Sequence, residues 1–179
     1  MIQSLVYMQQ RQASSEETKA NMQQMALRIE SIAALHQQLG QEAVGPIDLK
    51  AYITAMLGKV IELADINKKV VAHFDIDPLI LSGKQSFSLG LILNEWVTNS
   101  IKYAAVESGS LSVHIILRQD PANVIVEYFD SGEPVRCEKS QKGLGLKIVD
   151  LLKSQLKGEI HRQPDNCFHY RLTFAQNGK

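Results

Sequence analysis

Leu91-Ile92-Leu93-Asn94-Glu95-Trp96-Val97-Thr98-Asn99-Ser100-Ile101-Lys102-Tyr103 has the apolar rhythm of a buried helix, interrupted by polar side chains in register. Glu95, Asn99 and Lys102 fall at i, i+4 and i+7, which stacks them on one helical face. A carboxylate, an amide oxygen and an ammonium aligned in this way suit a metal-bound, negatively charged ligand. The amide oxygen is a hard ligand for Mg²⁺, and the ammonium offsets phosphate charge. Mg²⁺ keeps several waters and takes one or two protein ligands, so a single Asn suffices. The same spacing also describes the wet stripe of an amphipathic helix. By itself the helix leaves both readings open.

Upstream, Ser82-Gly83-Lys84-Gln85 has the form of a capping box and starts this long helix. Leu79 to Leu81 reads as a short strand and Val70 to Asp75 as a longer one. Asp48 is placed to cap an amphipathic helix running to about Ala64, with Leu49, Ile53, Leu57 and Val60 on one face. Gly40 to Pro46 reads as a linker. The first forty residues look all-helical. Ile2, Leu5, Val6 and Met8 form a short apolar face, and Ser14-Ser15-Glu16-Glu17 a turn and helix start. Met22, Met25, Ile29, Ile32, Leu35 and Leu39 then make a seam at intervals of three and four. Two helices joined by a tight turn bury such a seam poorly alone. Pairing with a second copy gives a four-helix bundle, so a homodimer is expected.

Downstream, Leu111, Val113, Ile115 and Leu117 alternate inward against Ser112, His114 and Arg118. Asp120-Pro121-Ala122-Asn123 is a turn, so Val124 to Phe129 should pair back antiparallel. A helix from about Leu144 to Leu156 follows. Two further strands, near Glu159 to Arg162 and Phe168 to Phe174, flank Pro164-Asp165-Asn166. This order predicts an α+β chain with a mixed sheet and helices on one face.

Three later features can carry chemistry beside the opening helix. Asp130-Ser131-Gly132 ends a strand. An Asp there can accept from an exocyclic amine, and the Gly lets a flat base approach the backbone. An ordinary turn has the same sequence. Gly143-Leu144-Gly145-Leu146 opens a helix, leaving backbone N–H groups and a positive dipole end suited to phosphate. Between them, residues 133–142 are polar with little apolar content. Tyr103 can stack on a base, or serve as a core tyrosine.

In this order the features resemble the GHKL (Bergerat) ATP-binding fold of sensor histidine kinases and gyrase-type ATPases. The stretch from Asn94 to Ala104 looks like its N box, Asp130-Ser131-Gly132 like the first glycine box, and Gly143-Leu144-Gly145-Leu146 like the second. The wording Leu-Asn-Glu-x-Val-Thr-Asn-Ser-x-Lys-Tyr-Ala is similar to bacterial sensor histidine kinases whose phosphoacceptor motif reads H-R-x-K-N-N-L. The resemblance covers nearly the whole chain. It implies a partial dimerisation hairpin over residues 1–44 and an ATP-binding α/β sandwich over residues 45–179.

The resemblance also assigns roles. Asn99 is the expected Mg²⁺ ligand, and Glu95 the catalytic position where the family has an acid or amide that orients water or the attacking group near the γ-phosphate. Lys102 contacts phosphate and Tyr103 flanks adenine. Asp130 binds the adenine amino group, with Gly132 giving clearance. Gly143 and Gly145 border a lid, residues 133–142, and hold phosphates. The implied cofactors are ATP and Mg²⁺. The implied activity is transfer of the γ-phosphoryl group to a histidine and then to a response regulator, in a cytoplasmic chain or the cytoplasmic part of a membrane-anchored sensor.

Two departures stand out. The phosphoacceptor histidine is not visible; in the subgroup it lies just before the segment that Met1 to Leu5 resembles. A piece of a longer kinase, cut inside the first dimerisation helix, is the expectation. A dimeric nucleotide-binding or scaffolding relative is the alternative, and a GHKL ATPase using Glu95 as general base is a third. The first glycine box also has Pro134, after Glu133, where the family carries a second glycine; Pro fixes φ and removes an N–H. His36 reads as a surface or packing residue, and His73, His114, His161 and His169 as structural or solvated residues on strands. The formal net charge of zero gives no bulk attraction to nucleic acid or anionic membrane. No run of 18 apolar residues offers a membrane span. Cys137 and Cys167 lie far apart and are expected as reduced thiols.

Overall fold

The computed structural model describes residues 47–62, 69–104, 109–132, 144–163 and 168–176. All belong to the second of two compact units, Val44–Lys179. The expected N-terminal hairpin, its dimer seam and His36 lie outside the described residues, as do both cysteines.

Strand β1 (Ile47–Asp48) leads into helix α1 (Leu49–Glu62). The Asp48 carboxylate caps α1 by accepting from the Ala51 amide at 3.1 Å, as the sequence predicts. Strands β2 (Lys69–Ile76) and β3 (Ile80–Leu81) follow, β3 pairing antiparallel with β1. Helix α2 (Gly83–Tyr103) carries the opening stretch. Its N-cap forms: the Ser82 hydroxyl accepts from the Gln85 amide at 3.3 Å and donates to the Gln85 side-chain oxygen at 3.3 Å. Strands β4 (Ser110–Gln119) and β5 (Asn123–Asp130) make the expected hairpin, closed by Asp120 accepting from the amides of Ala122 and Asn123. Helix α3 (Leu144–Leu156) precedes β6 (Glu159–Arg162) and β7 (Tyr170–Ala175).

The main sheet runs β2-β4-β5-β7-β6. β2 and β4 are parallel, and every other pair in it is antiparallel. A parallel pair cannot be joined by a tight turn, so α2 serves as the crossover between β2 and β4. This mixed α+β arrangement is the architecture the order of elements predicts. The alternation in β4 and β5 puts Leu111, Val113, Ile115, Leu117, Val124, Val126 and Tyr128 on one face, all fully buried. Leu172 and Phe174 of β7 continue that face. Helix α2 lies across it: Trp96 stacks on Tyr170 with ring centroids 4.9 Å apart and meets Tyr128 at 5.6 Å. Among the described residues no helix is long and apolar enough to cross a membrane.

Candidate functional site

Along α2 the polar face climbs from core to surface. Glu95 is 2% exposed, Asn99 is half-buried, and Lys102 and Tyr103 are exposed. A carboxylate so covered is not part of a solvated stripe. Of the two readings of this helix, the burial of Glu95 removes the wet-face one at that position. Tyr103, 41% exposed at the helix end, is likewise not a core tyrosine.

Asp130 ends β5 with its side chain buried, and its Oδ1 accepts from the Gly132 amide at 2.9 Å. This Asx-type turn orients the carboxylate at the strand end. Gly132 is buried directly against the end of α2: a Cβ built there would lie 2.5 Å from the Ala104 Cβ. The sequence assigned this glycine to clearance for a base; the atom a side chain would strike first belongs to Ala104. The consequence is that the Asp130 turn and the last turn of α2 sit in contact.

A second tie lies one turn deeper. The Tyr128 hydroxyl donates to the Ser100 hydroxyl at 2.7 Å, and both residues are fully buried. Burial raises the Tyr128 pKa well above its usual value, so the phenol stays protonated and able to donate. Ser100 neighbours Asn99 on α2, and Tyr128 stands two residues before Asp130 on β5. The bond therefore fixes the height of the Asn99 turn relative to the Asp130 carboxylate. Sequence reading did not single out Ser100 or Tyr128 for any role. The one available signal was that Tyr128 shares the inward face with Asp130.

Gly145 is buried in the first turn of α3, while Gly143, Pro134 and the expected lid over 133–142 lie outside the described residues. Helices α2 and α3 pack on each other. Ser88, early in α2, is hydrogen-bonded to Gln155, late in α3, at 3.3 Å. Two separated stretches thus meet: the last turns of α2 and the end of β5, through Gly132 against Ala104 and Tyr128 against Ser100.

Of the four histidines read as strand residues, His73, His114 and His161 lie on β2, β4 and β6, and His169 immediately precedes β7. His73 stacks on His114, and His114 on Phe129, with centroids 4.5 and 4.6 Å apart. His169 meets the Glu127 carboxylate at 3.0 Å, and His161 lies 3.5 Å from Glu159. These contacts give each a structural or solvated role on the sheet.

Residues 1–64 match the family model described as "Histidine kinase". The sensor histidine kinases PdtaS of Mycolicibacterium smegmatis and Mycobacterium tuberculosis are 24% and 25% identical over 165 residues, 89% of this chain and 33% of theirs. The chain thus spans about a third of the length of the curated relatives it matches. In fold it is similar to the histidine kinase domain of the Erythrobacter litoralis EL346 blue-light activated histidine kinase. The TM-score is 0.66 at 16% identity, covering 97% of this chain and 93% of that one. The chain is thus similar to a histidine kinase family over residues 1–64, to sensor histidine kinases over most of its length, and to a histidine kinase domain in fold.

Proposed function

We propose that residues 45–179 are the ATP-binding catalytic unit of a two-component sensor histidine kinase, with residues 1–44 as part of its dimerisation hairpin. The observation that carries this reading is the buried, oriented Asp130 turn seated against the last turn of α2, the helix that carries Glu95 and Asn99, through Gly132 and Ala104.

The donor set suits Mg-ATP. A buried carboxylate accepts from an exocyclic amine, and a neutral amide oxygen ligates Mg²⁺ without demanding a second positive partner. An exposed ammonium follows one turn on. Asn99 would hold the metal and Lys102 the phosphates. Tyr103 would lie along the base and Asp130 would accept from its amino group, with Gly132 giving clearance at that turn. Gly143 and Gly145 would direct backbone N–H groups at phosphate from the start of α3. Glu95 would orient the attacking group. When bound, Mg-ATP supplies the γ-phosphoryl group and the charge that neutralises its neighbours. The protein contributes positioning and electrostatics.

The acceptor histidine would lie outside this chain. A response regulator receiver domain is the onward acceptor, a second copy of this chain is the partner through the N-terminal helices, and the cytoplasm is the compartment. Calorimetric titration of the chain with ATP, with and without Mg²⁺, tests the reading. Binding should require Mg²⁺ and should weaken by at least about tenfold in Asn99→Ala. Equal binding by Asn99→Ala sinks the metal assignment. A wild-type chain that binds no nucleotide at millimolar concentration favours a scaffold.

A further inference from the structure

The end of the β4–β5 ladder is made in an unusual way. In an uninterrupted antiparallel pair, residues directly opposite each other exchange two backbone hydrogen bonds at every second position. Ser112 and Ser131 occupy such a position, one step beyond the Val113–Asp130 pair. The first of the two bonds is made normally: the Ser131 amide donates to the Ser112 carbonyl at 2.9 Å. The second is not backbone to backbone. The Ser112 amide donates to the Ser131 hydroxyl at 3.0 Å. The side chain has taken the place that the Ser131 carbonyl would hold in a continuing strand.

This substitution has a geometric consequence. With its amide satisfied by a side chain, Ser112 places no demand on the direction of the Ser131 carbonyl. The chain leaves the sheet at Ser131 and turns inward. That exit lets the Gly132 amide reach back to Asp130 Oδ1 at 2.9 Å and seats Gly132 on Ala104. Asp130 is thus held from both sides of one short turn: by the β4 ladder on its N-terminal side and by the hydroxyl-made ladder end on the other.

We infer that Ser131 is a positioning residue of the nucleotide site, its hydroxyl ending the β4–β5 ladder so that the turn aims the Asp130 carboxylate at the base. This rests on the proposed reading of Asp130 as the acceptor for an adenine amino group. Ser131 itself is exposed and is assigned no contact with the ligand. Its effect is on base selection. A misaimed carboxylate loses the amino group of ATP and loses its repulsion of the carbonyl that GTP carries at the same ring position.

The test compares wild type, Ser131→Ala and Ser131→Thr in the full chain. Three quantities are read: Mg-ATP affinity, the ATP-to-GTP affinity ratio, and amide hydrogen exchange at Ser112 without nucleotide. Ser131→Ala should exchange the Ser112 amide faster, bind ATP about threefold to tenfold more weakly, and lose a similar factor of preference over GTP. Ser131→Thr keeps the hydroxyl and should restore all three. Faster exchange with unchanged ATP affinity and unchanged base preference overturns the inference and leaves an ordinary ladder bond. Unchanged exchange overturns it too, because the bond then does not hold the ladder end. A wild-type chain that binds neither nucleotide overturns the reading of Asp130 and the inference with it; a wild type that prefers ATP beside an unaltered Ser131→Ala overturns the inference alone.

Discussion

Gly132 shows how little freedom single residues have where the site elements meet. A Cβ there would lie 2.5 Å from that of Ala104 and 3.1 Å from Oδ1 of Asp130. Neither neighbour is the loose end of a flexible chain. Gly132→Ala should therefore push the end of β5 away from α2 and destabilise the fold by about 1–3 kcal/mol. Urea unfolding at constant m-value reads this as a lower midpoint; a midpoint equal to wild type would show that the turn relaxes freely. The motif Asp130-Ser131-Gly132 was legible in the sequence as a candidate site. The contact with Ala104 was not, because nothing in a local pattern says which distant residue fills the space beside a glycine. Ser100 and Tyr128 were missed for the same reason. A buried serine and an inward tyrosine are ordinary core residues until their hydroxyls are found 2.7 Å apart.

Secondary-structure elements were the most legible scale. The capping residues Asp48 and Ser82 start α1 and α2 where the sequence places them, since caps act over three residues. The strict alternation in β4 and β5 survives residue by residue because each strand has one buried and one open face. Less legible was Gly90 in the interior of α2. An alanine there gains about 1 kcal/mol of helix propensity. Its Cβ, however, would lie 2.6 Å from the Tyr52 hydroxyl of α1 and 3.1 Å from the ring edge. Gly90 is thus the notch into which the tyrosine fits. The Tyr52 hydroxyl is buried with no hydrogen-bond partner among the described residues, and burial pushes its ionisation far above the usual range. Tyr52→Phe should then be neutral or stabilising, since it removes an unmatched buried group. Gly90→Ala should lower the melting temperature, and adding Tyr52→Phe should recover part of the loss by deleting the nearest atom. Additive effects in that double-mutant cycle would show that the two residues are not coupled.

At the scale of the molecule, strand order brings chemistry together that the sequence keeps apart. β2 and β4 are separated by β3 and the whole of α2, yet lie side by side and stack His73 on His114. Phe129, on β5, covers the other side of the His114 ring. Burial, and then the neighbouring His73, hold the His114 imidazole below its ordinary value of 6.5. Between that lowered value and 6.5 the unfolded chain binds more protons at this residue than the folded one does. Stability should accordingly fall as pH drops below about 6.5, and level off once pH passes beneath the folded value. Denaturant midpoints measured across that window should show a slope that His114→Gln flattens; an equal slope in the variant would place the proton uptake elsewhere.

The sequence by itself determined the elements, their caps, the inward faces of the strands and the residue types available for a phosphate-bearing ligand. Those properties depend on neighbours within a few positions, through periodicity and local hydrogen bonding. Tertiary structure alone decided that β2 runs parallel beside β4 and that α3 packs on α2. It also decided that Ala104 occupies the space beside Gly132, and that Glu95 is covered while Lys102 reaches solvent. Each of those depends on which distant surfaces exclude water together, and no local pattern encodes that choice.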